Sequence, residues 1–346
     1  MPACSSGIPA VAHTLTRLCR HLDLNGCSIR PWGTLPTGER VNIITLEGPN
    51  GAIAEVSTFG GMVRSLCIPL SNGVRRQVVL GFETLDAYLA DTDSIGVTVG
   101  PYANRIRSGT FQLDGRRYHL VQNEGQNTLH GGYLWQRAVY RYEICDNTLV
   151  LRHQSPDGEG GFPGKRDVAI RFSWQMPMSF QIDYRVETDR PTVVSMTNHS
   201  YFCLTPGADA CSHKLQVQAE TYTPIDSETL PTGEIYPVAG TEFDFRAMRP
   251  IARHYDHNFV LTGGESPAAM LEAPDGALSM AVYTDMPGLQ LYTSEFLKPP
   301  FSPGAAVCLE TQQFPDAPNM PQFPSSVCTQ TKPYVSQTTF AFAVRP

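Results

Sequence analysis

The sequence lacks several features that mark common classes of protein. Nowhere do 18 consecutive apolar residues occur, so no segment is predicted to span a membrane. No stretch is rich in lysine and arginine, and the net charge of −7 is the opposite of the broad positive field of a nucleic-acid binder. We therefore expect neither nucleic acid nor a membrane as a partner.

Cysteine is present, but never in the spacing of a redox or zinc motif. The nine cysteines include no Cys-x-x-Cys pair, and an odd number of isolated cysteines is typical of free thiols. The first seven residues lack the basic start and the apolar stretch of a secretory signal. Both observations predict a cytoplasmic protein.

Motifs for nucleotide and acyl chemistry are also missing. There is no Gly-x-Ser-x-Gly, Walker or dinucleotide-binding fingerprint, and the Gly-rich segment 158–164 follows no strand-to-helix pattern. His254 and His257 form the one close pair at metal-ligand spacing, on a doubtful helix, and no partner motif accompanies them. We expect no cofactor and no metal.

What the sequence does contain is alternation of period two. Apolar residues alternate with polar ones at 168–174 and again at 180–186, and the turn-like segment 176–179 joins the two as a hairpin. Asp-Gly at 114–115 and Asp-Asn at 146–147 predict two further hairpins. Because 29 glycines and 28 prolines separate many short strands, the predicted class is all-β, a large antiparallel β-sandwich.

Helical segments are few. Residues 85–90 follow Thr84, a suitable N-cap, and a short stretch near Ile251 also has helical character. Residues 1–28 are predicted to be an N-terminal extension, either disordered or packed on the surface as one short amphipathic helix. The apolar positions of that helix are Val11, Leu15, Leu18 and Leu22. No change in composition divides residues 29–346, which we expect to form a single domain.

Two residues are typical of proton-transfer chemistry. Near the C-terminus Val307 and Leu309 point one way in an extended segment, so Glu310 points the other way. His199 is flanked by polar and aromatic residues on a separate segment. A carboxylate and an imidazole on separate strands supply a base and an acid for a small neutral substrate. Taken singly, each also fits a surface glutamate or a hydrogen-bonded core histidine.

Other segments place polar side chains beside turn residues or within apolar runs. These polar residues are Asn104, Arg105, His130, Asp256 and Gln290. Each alone has a structural interpretation, such as a surface ion pair for Arg105 or an Asx-turn for Asp256. With the aromatic residues Tyr201 and Phe296, the set is rich in hydroxyl-binding groups, and it suits a sugar better than a phosphate or an acyl substrate.

Seven segments resemble the signature segments of the aldose 1-epimerase (galactose mutarotase) family, in the family's order, from about residue 40 onwards. Asn104-Arg105-Ile106 is one of them, and the specific ones are the histidine and glutamate segments, Thr197-Asn198-His199-Ser200-Tyr201-Phe202 and Leu309-Glu310-Thr311-Gln312. The resemblance implies the family's galactose mutarotase-like supersandwich and a cofactor-independent isomerase. It further implies that His199 is the general acid and Glu310 the general base. The residues that it implies as ligands of the sugar hydroxyls or ring oxygen are Asn104, Arg105, His130, Tyr201, Asp256 and Gln290.

The implied reaction interconverts the α and β anomers of free aldoses such as glucose and galactose. Glu310 would take the proton of the anomeric hydroxyl while His199 protonates the ring oxygen. Ring opening, rotation about C1–C2 and reclosure on the other face then invert the anomer. Neighbouring carboxylates are expected to keep His199 protonated at neutral pH.

The sequence departs from the family's pattern around the expected pocket. Cys203 and Pro101 stand where an Asn and an Arg are common, and the usual Gly-Phe-Asp run after Gly132 is missing. The loops before Asp256 and before Glu310 are short. These departures change the rim of the pocket, so the sequence does not determine which aldose is preferred. It also does not determine whether the protein is a monomer or a homodimer.

Two alternative functions remain at this point. A hexose-6-phosphate epimerase would need extra cationic groups for the phosphate, for which Arg105 and the unassigned Arg107 are the candidates. A non-catalytic sugar-binding or sensing protein on the same fold is the other alternative, because fold does not fix function. Such a protein would be expected to have lost the histidine or the glutamate, and both are present.

Overall fold

A computed structural model describes residues 26–345, and most of its regular structure is antiparallel β-sheet. The largest sheet of the described residues has nine strands. In spatial order they are Arg141–Cys145, Thr148–Ser155, Arg166–Gln175, Ser179–Thr188, Tyr334–Val344, Leu278–Thr284, Ala269–Glu272, Lys214–Val217 and Arg249–Pro250.

Two smaller sheets complete the main body of the described region. The six-stranded sheet has the order Tyr201–Phe202, Val307–Gln312, Gly288–Tyr292, Asp256–Leu261, Ala219–Thr223 and Tyr236–Pro237. The five-stranded sheet has the order Cys27–Thr34, Arg40–Glu47, Ile53–Ser57, Val63–Pro69 and Arg75–Gln77. Four two-stranded ladders pair Arg105–Ile106 with Thr128–Leu129, Thr192–Val193 with Val327–Cys328, Thr98–Val99 with Thr197–Asn198, and Thr110–Leu113 with Arg116–His119.

Helical structure between residues 26 and 345 is short. The one α-helix is Leu85–Ala90, and the Thr84 hydroxyl accepts a hydrogen bond from the Ala87 backbone N–H at 3.3 Å, as the N-cap prediction requires. The 3₁₀ segments are Pro49–Gly51, Arg107–Gly109, His130–Tyr133, Trp135–Arg137, Glu159–Gly161, Ala210–Ser212 and Ala317–Asn319. No helix of this region is long and apolar enough to cross a membrane.

The hydrophobic core lies between the inner faces of the three larger sheets. One continuous cluster joins Ile170 and Ile182 of the nine-stranded sheet to Ile44 of the five-stranded sheet and Leu289 of the six-stranded sheet. Alternation produces this arrangement, because every second side chain of a strand faces the same side. Removing these apolar side chains from water is the main force that holds the sheets together.

The three hairpins predicted from the sequence are confirmed. Strand 166–175 pairs with 179–188 in unbroken register, and the turns at 114–115 and 146–147 each join two paired strands. The predicted antiparallel all-β class is therefore also confirmed.

The predicted helical stretch near Ile251 is wrong. Arg249–Pro250 instead pairs as a short strand with Lys214–Leu215, and Ile251 is buried in the central core. Proline favours an extended conformation in the residue before it and cannot donate a helical hydrogen bond, so Pro250 disfavours a helix here. The predicted helix at residues 11–22 lies outside the described residues.

Candidate active site

Glu310 projects from the six-stranded sheet on the side opposite the central core. Within strand Val307–Gln312, the side chains of Val307 and Leu309 join the central core, while Cys308 packs in a second cluster with Tyr201. Alternation therefore places Cys308 and Glu310 on one face, as the sequence predicts for Glu310. Only 2% of Glu310 is exposed, so it is not the surface carboxylate of the alternative interpretation.

His199 is fixed by its backbone and by aromatic neighbours. It lies between the short strands Thr197–Asn198 and Tyr201–Phe202, and its N–H donates to the Val97 carbonyl at 2.9 Å. The Tyr201 ring lies against the imidazole with the ring centres 4.9 Å apart, and the His130 ring meets it edge-on at 5.2 Å. The imidazole Nε2 is 3.6 Å from Glu310 Oε1.

Burial suppresses charge on both members of this pair. Loss of solvent lowers the pKa of His199 from 6.5 to about 4. Burial also raises the pKa of Glu310 well above its usual value; the charge of Asp256 adds to this shift and Arg105 opposes it. The expectation that carboxylates keep His199 protonated at neutral pH is therefore wrong. Loss of solvent destabilises the imidazolium, and burial likewise disfavours the charged form of the carboxyl group 3.6 Å away.

Asn104 and His130 hold each other in place at one wall of the cavity. The backbone N–H of His130 donates to the Asn104 carbonyl at 3.0 Å, and the Asn104 N–H donates to His130 Nδ1 at 3.2 Å. Burial, then the nearby His199 and Arg105, lowers the pKa of His130 well below its usual value, so its ring is neutral near pH 7. Because Nδ1 accepts a hydrogen bond, the ring proton is on Nε2.

Arg105 lies in a network of acids rather than alone. Its guanidinium donates two hydrogen bonds to Glu124, at 2.7 and 2.8 Å, and lies 3.7 Å from Asp256 Oδ2. The other oxygen of Asp256, Oδ1, accepts a hydrogen bond from Gln290 Nε2 at 2.6 Å. Gln290 therefore lies behind Asp256 and orients that carboxylate.

These side chains surround one cavity of about 360 Å³. Of the sequence-predicted site residues, Asn104, Arg105, His130, His199, Tyr201, Asp256 and Glu310 line it, and Gln290 does not. The Tyr201 hydroxyl is already bonded to the Asp93 carbonyl at 2.6 Å, so this residue presents its ring. Phe296, 66% exposed, lies at the rim.

Several lining residues were not found from the sequence. They are Thr92, Asp93, Ser94, Glu124, Leu129, Tyr133, Thr229 and Tyr292. Tyr292 could have been found, because alternation within strand Gly288–Tyr292 places it on the same face as Gln290. Glu124 has no sequence signal, since only the folded chain brings it to Arg105.

The other candidates from the sequence lie elsewhere. Arg107 bonds to Asp226 at 2.8 Å and does not line the cavity. His257 lies on strand Asp256–Leu261 with its ring 4.7 Å from that of Phe243. His254 lies in an irregular segment near Thr293. The helix considered for this histidine pair is therefore wrong. No group of three potential metal ligands occurs among residues 26–345.

Comparisons with known proteins agree with this fold. The family model described as aldose 1-epimerase matches residues 42–341. Galactose mutarotase from Homo sapiens is 34% identical over 312 residues, which is 84% of this chain and 91% of that protein. Aldose 1-epimerase from Escherichia coli is 32% identical over 322 residues, 85% of this chain and 92% of that protein.

A solved structure of an aldose epimerase homologue from C. elegans has a TM-score of 0.85 at 25% identity, and the match covers 88% of this chain and all of that one. The chain belongs to the aldose 1-epimerase family. It is an isomerase with the galactose mutarotase fold, which confirms the family and the class of enzyme predicted from the sequence.

Proposed function

We propose that this isomerase interconverts the α and β anomers of free aldoses such as galactose and glucose, with Glu310 as base and His199 as acid. The observation that carries this assignment is the 3.6 Å distance between Glu310 Oε1 and His199 Nε2 at the wall of one cavity. The anomeric hydroxyl and the ring oxygen are both bonded to C1, so the groups that serve them have to be neighbours.

The reaction needs only proton transfers between these groups and the sugar. Glu310 takes the proton of the anomeric hydroxyl, and His199 Nε2 gives a proton to the ring oxygen as the C1–O5 bond breaks. The aldehyde then rotates about C1–C2, and the C5 hydroxyl attacks its other face. On reclosure His199 takes a proton and Glu310 returns one, so the enzyme recovers its starting state.

The neutral state favoured by burial is compatible with this cycle. A carboxylic acid beside a neutral imidazole contains as many protons as a carboxylate beside an imidazolium. Moving one proton between Glu310 and His199, directly or through a sugar hydroxyl, converts the first state into the second without exchange with solvent. Only the total of one proton on the pair has to be maintained at the working pH.

The charges around the cavity favour a neutral sugar over a sugar phosphate. Among the described residues that line it, Arg105 is the one cationic side chain, against four acids, Asp93, Glu124, Asp256 and Glu310. Arg105 is already paired with Glu124 through two hydrogen bonds. A phosphate with a charge of nearly −2 would meet repulsion and little pairing. One further cation, Lys298, donates to the hydroxyl of the lining residue Thr92 at 3.3 Å.

In this proposal the remaining cavity residues bind the hydroxyls of the sugar. Asn104, Arg105, His130 and Asp256 supply donors and acceptors, and the ring of Tyr201 supplies an apolar surface. Gln290 acts through Asp256 rather than on the sugar. We also propose the cytoplasm as the compartment, because all seven cysteines of the described region are free thiols.

Polarimetry tests the substrate class. Freshly dissolved α-D-galactose, α-D-glucose and α-D-glucose 6-phosphate are followed with and without the enzyme. We expect acceleration with both free sugars, preferences within about 10 to 200-fold of each other, and a lower kcat/KM for the phosphate. A higher kcat/KM for the phosphorylated sugar would replace this proposal by a hexose-6-phosphate epimerase, and no acceleration with any sugar would favour a binding protein.

A further inference from the structure

The segment that carries Arg105 is hydrogen-bonded to the part of the chain that follows Glu310. The Tyr102 hydroxyl donates to the Phe314 carbonyl at 2.9 Å. The backbone N–H of Asp316 donates to the Arg105 carbonyl, also at 2.9 Å. One ligand of the sugar and the base of the proposed mechanism therefore lie on two segments that are joined at more than one point.

The side chain of Asp316 extends this contact. The backbone N–H of Arg107 donates to Asp316 Oδ1 at 3.0 Å. Because Asp316 also donates to the Arg105 carbonyl, it brackets Ile106 as a residue of a neighbouring strand would, with a carboxylate oxygen in place of a backbone carbonyl. Asn319 Nδ2 donates to the same Oδ1 at 2.7 Å and so fixes the direction of the carboxylate.

Asp316 has a conformation that its contacts have to maintain. Its side chain is 0% exposed, and its φ of 54° lies in the left-handed region. Aspartate and asparagine enter this region more readily than most residues other than glycine, but still at a cost in free energy. The proposed mechanism gives this buried residue no part.

The backbone of Arg105 has few other supports. Its strand, Arg105–Ile106, has two residues and pairs with Thr128–Leu129, a ladder too short to hold a strand by itself. The guanidinium bonds to Glu124, whose side chain is 37% exposed, so water weakens this ion pair. Asp316 supplies further hydrogen bonds to the same backbone.

We propose that Asp316 is a positioning residue that holds the backbone of Arg105 against the chain that carries Glu310. In this way the ligand of the sugar keeps its place relative to the base. The inference rests on the roles of Arg105 and Glu310 in the proposed function. It requires Oδ1 of Asp316 as the acceptor for Arg107 and does not require the negative charge.

Two substitutions separate the side-chain oxygen from the backbone conformation. Asp316→Gly keeps the left-handed backbone at little steric cost but removes Oδ1. Asp316→Asn keeps both, because an amide oxygen also accepts from an N–H. Asp114→Gly is the matched control, because Asp114 has a φ of 50° in an exposed hairpin turn and does not line the cavity. Polarimetry with α-D-galactose gives kcat and KM for each, and urea denaturation gives the stability.

Asp316→Gly should raise KM by about three- to tenfold, the effect of one net hydrogen bond, with a smaller change in kcat. Asp316→Asn and Asp114→Gly should keep KM near that of the unsubstituted enzyme. Asn319→Ala, which removes the donor to Oδ1, should raise KM by less than Asp316→Gly does.

A double-mutant cycle shows whether the effect passes through Arg105. Arg105→Ala alone should raise KM more than Asp316→Gly does, and adding Asp316→Gly to it should change KM little further. A merely structural role of Asp316 would instead add the same increase in both backgrounds. An unchanged KM in Arg105→Ala would contradict the ligand role of Arg105 in the proposed function, and it would be seen without any change at Asp316.

Three results would overturn the inference. The first is a folded Asp316→Gly enzyme with unchanged KM, and the second is an equal increase in KM with and without Arg105. The third is an Asp316→Asn enzyme as impaired as Asp316→Gly. If Asp316→Gly does not fold, Asn319→Ala takes its place in the same cycle, and an unchanged KM there would overturn the inference equally.

Discussion

Replacing His199 by Asn should make the folded protein less sensitive to acid. The buried ring has a pKa of about 4, against an ordinary 6.5 in the unfolded chain. Above pH 6.5 the ring is neutral in both states and contributes nothing to the pH dependence. As the pH falls below 6.5, the unfolded chain takes up a proton that the folded protein resists, so the free energy of unfolding decreases until about pH 4.

The size of this effect follows from the two pKa values. At about 1.36 kcal/mol per unit of pKa, the full loss is on the order of 3 kcal/mol, of which about 2 kcal/mol is reached by pH 5. The amide that replaces the ring in His199→Asn does not titrate, so this variant avoids the loss. The raised pKa of Glu310 has the opposite effect on the free energy of unfolding, because here the folded state holds the extra proton. Glu310 is present in both the unsubstituted enzyme and His199→Asn, so its effect cancels when the two are compared.

Urea denaturation at pH 7.5 and pH 5 measures the difference. The unsubstituted enzyme should lose about 2 kcal/mol more than His199→Asn between these two values. His119→Asn is the matched control, because the side chain of His119 is exposed in the folded protein. Equal losses in the unsubstituted enzyme and His199→Asn would refute the argument that burial holds His199 neutral.

Three further predictions concern the site. His199→Asn should lower kcat far more than it raises KM, because the proton is delivered mainly in the transition state. His130→Asn, by contrast, should act at least partly on KM. If both variants changed KM alone, His199 would be a ligand only. Glu124→Gln should raise KM about three- to tenfold with kcat little changed, because Arg105 loses its charged partner at a partly exposed site. An unchanged KM would show that Asp256 alone orients Arg105. Exhaustive EDTA treatment should leave kcat unchanged, and a rate that zinc or manganese then restores would contradict a mechanism based on paired acid and base groups.

The strand pattern predicted much of the fold because period-two alternation follows directly from burial of one face of a sheet. It predicted the hairpin over 166–188 and the face on which Glu310 lies. It failed near Ile251, which is buried in the core but lies in an irregular segment after Pro250. The domain boundary at residue 29 stays a prediction; the first described strand starts slightly earlier, at Cys27.

The site was predicted where its residues lie in recognisable segments and missed where only contacts define it. His199 and Glu310 stand in distinctive local sequences, but the pairing of Arg105 with Glu124 depends on two loops meeting in space. Gln290 lies on the predicted strand but does not line the cavity, because alternation gives the face of a side chain and not its depth. The charge of His199 was mispredicted for a related reason: the sequence shows which carboxylates are near but not how completely water is excluded.

The most direct test of the central claim is the mutarotation rate of Glu310→Gln. Glutamine keeps the size of the side chain but cannot accept the anomeric proton, so kcat for α-D-galactose measured by polarimetry should fall about 10² to 10⁴-fold. The midpoint of urea denaturation should be retained or raised, because no buried carboxyl group remains at this position. A folded Glu310→Gln enzyme that keeps near-normal kcat would contradict the assignment of Glu310 as the base.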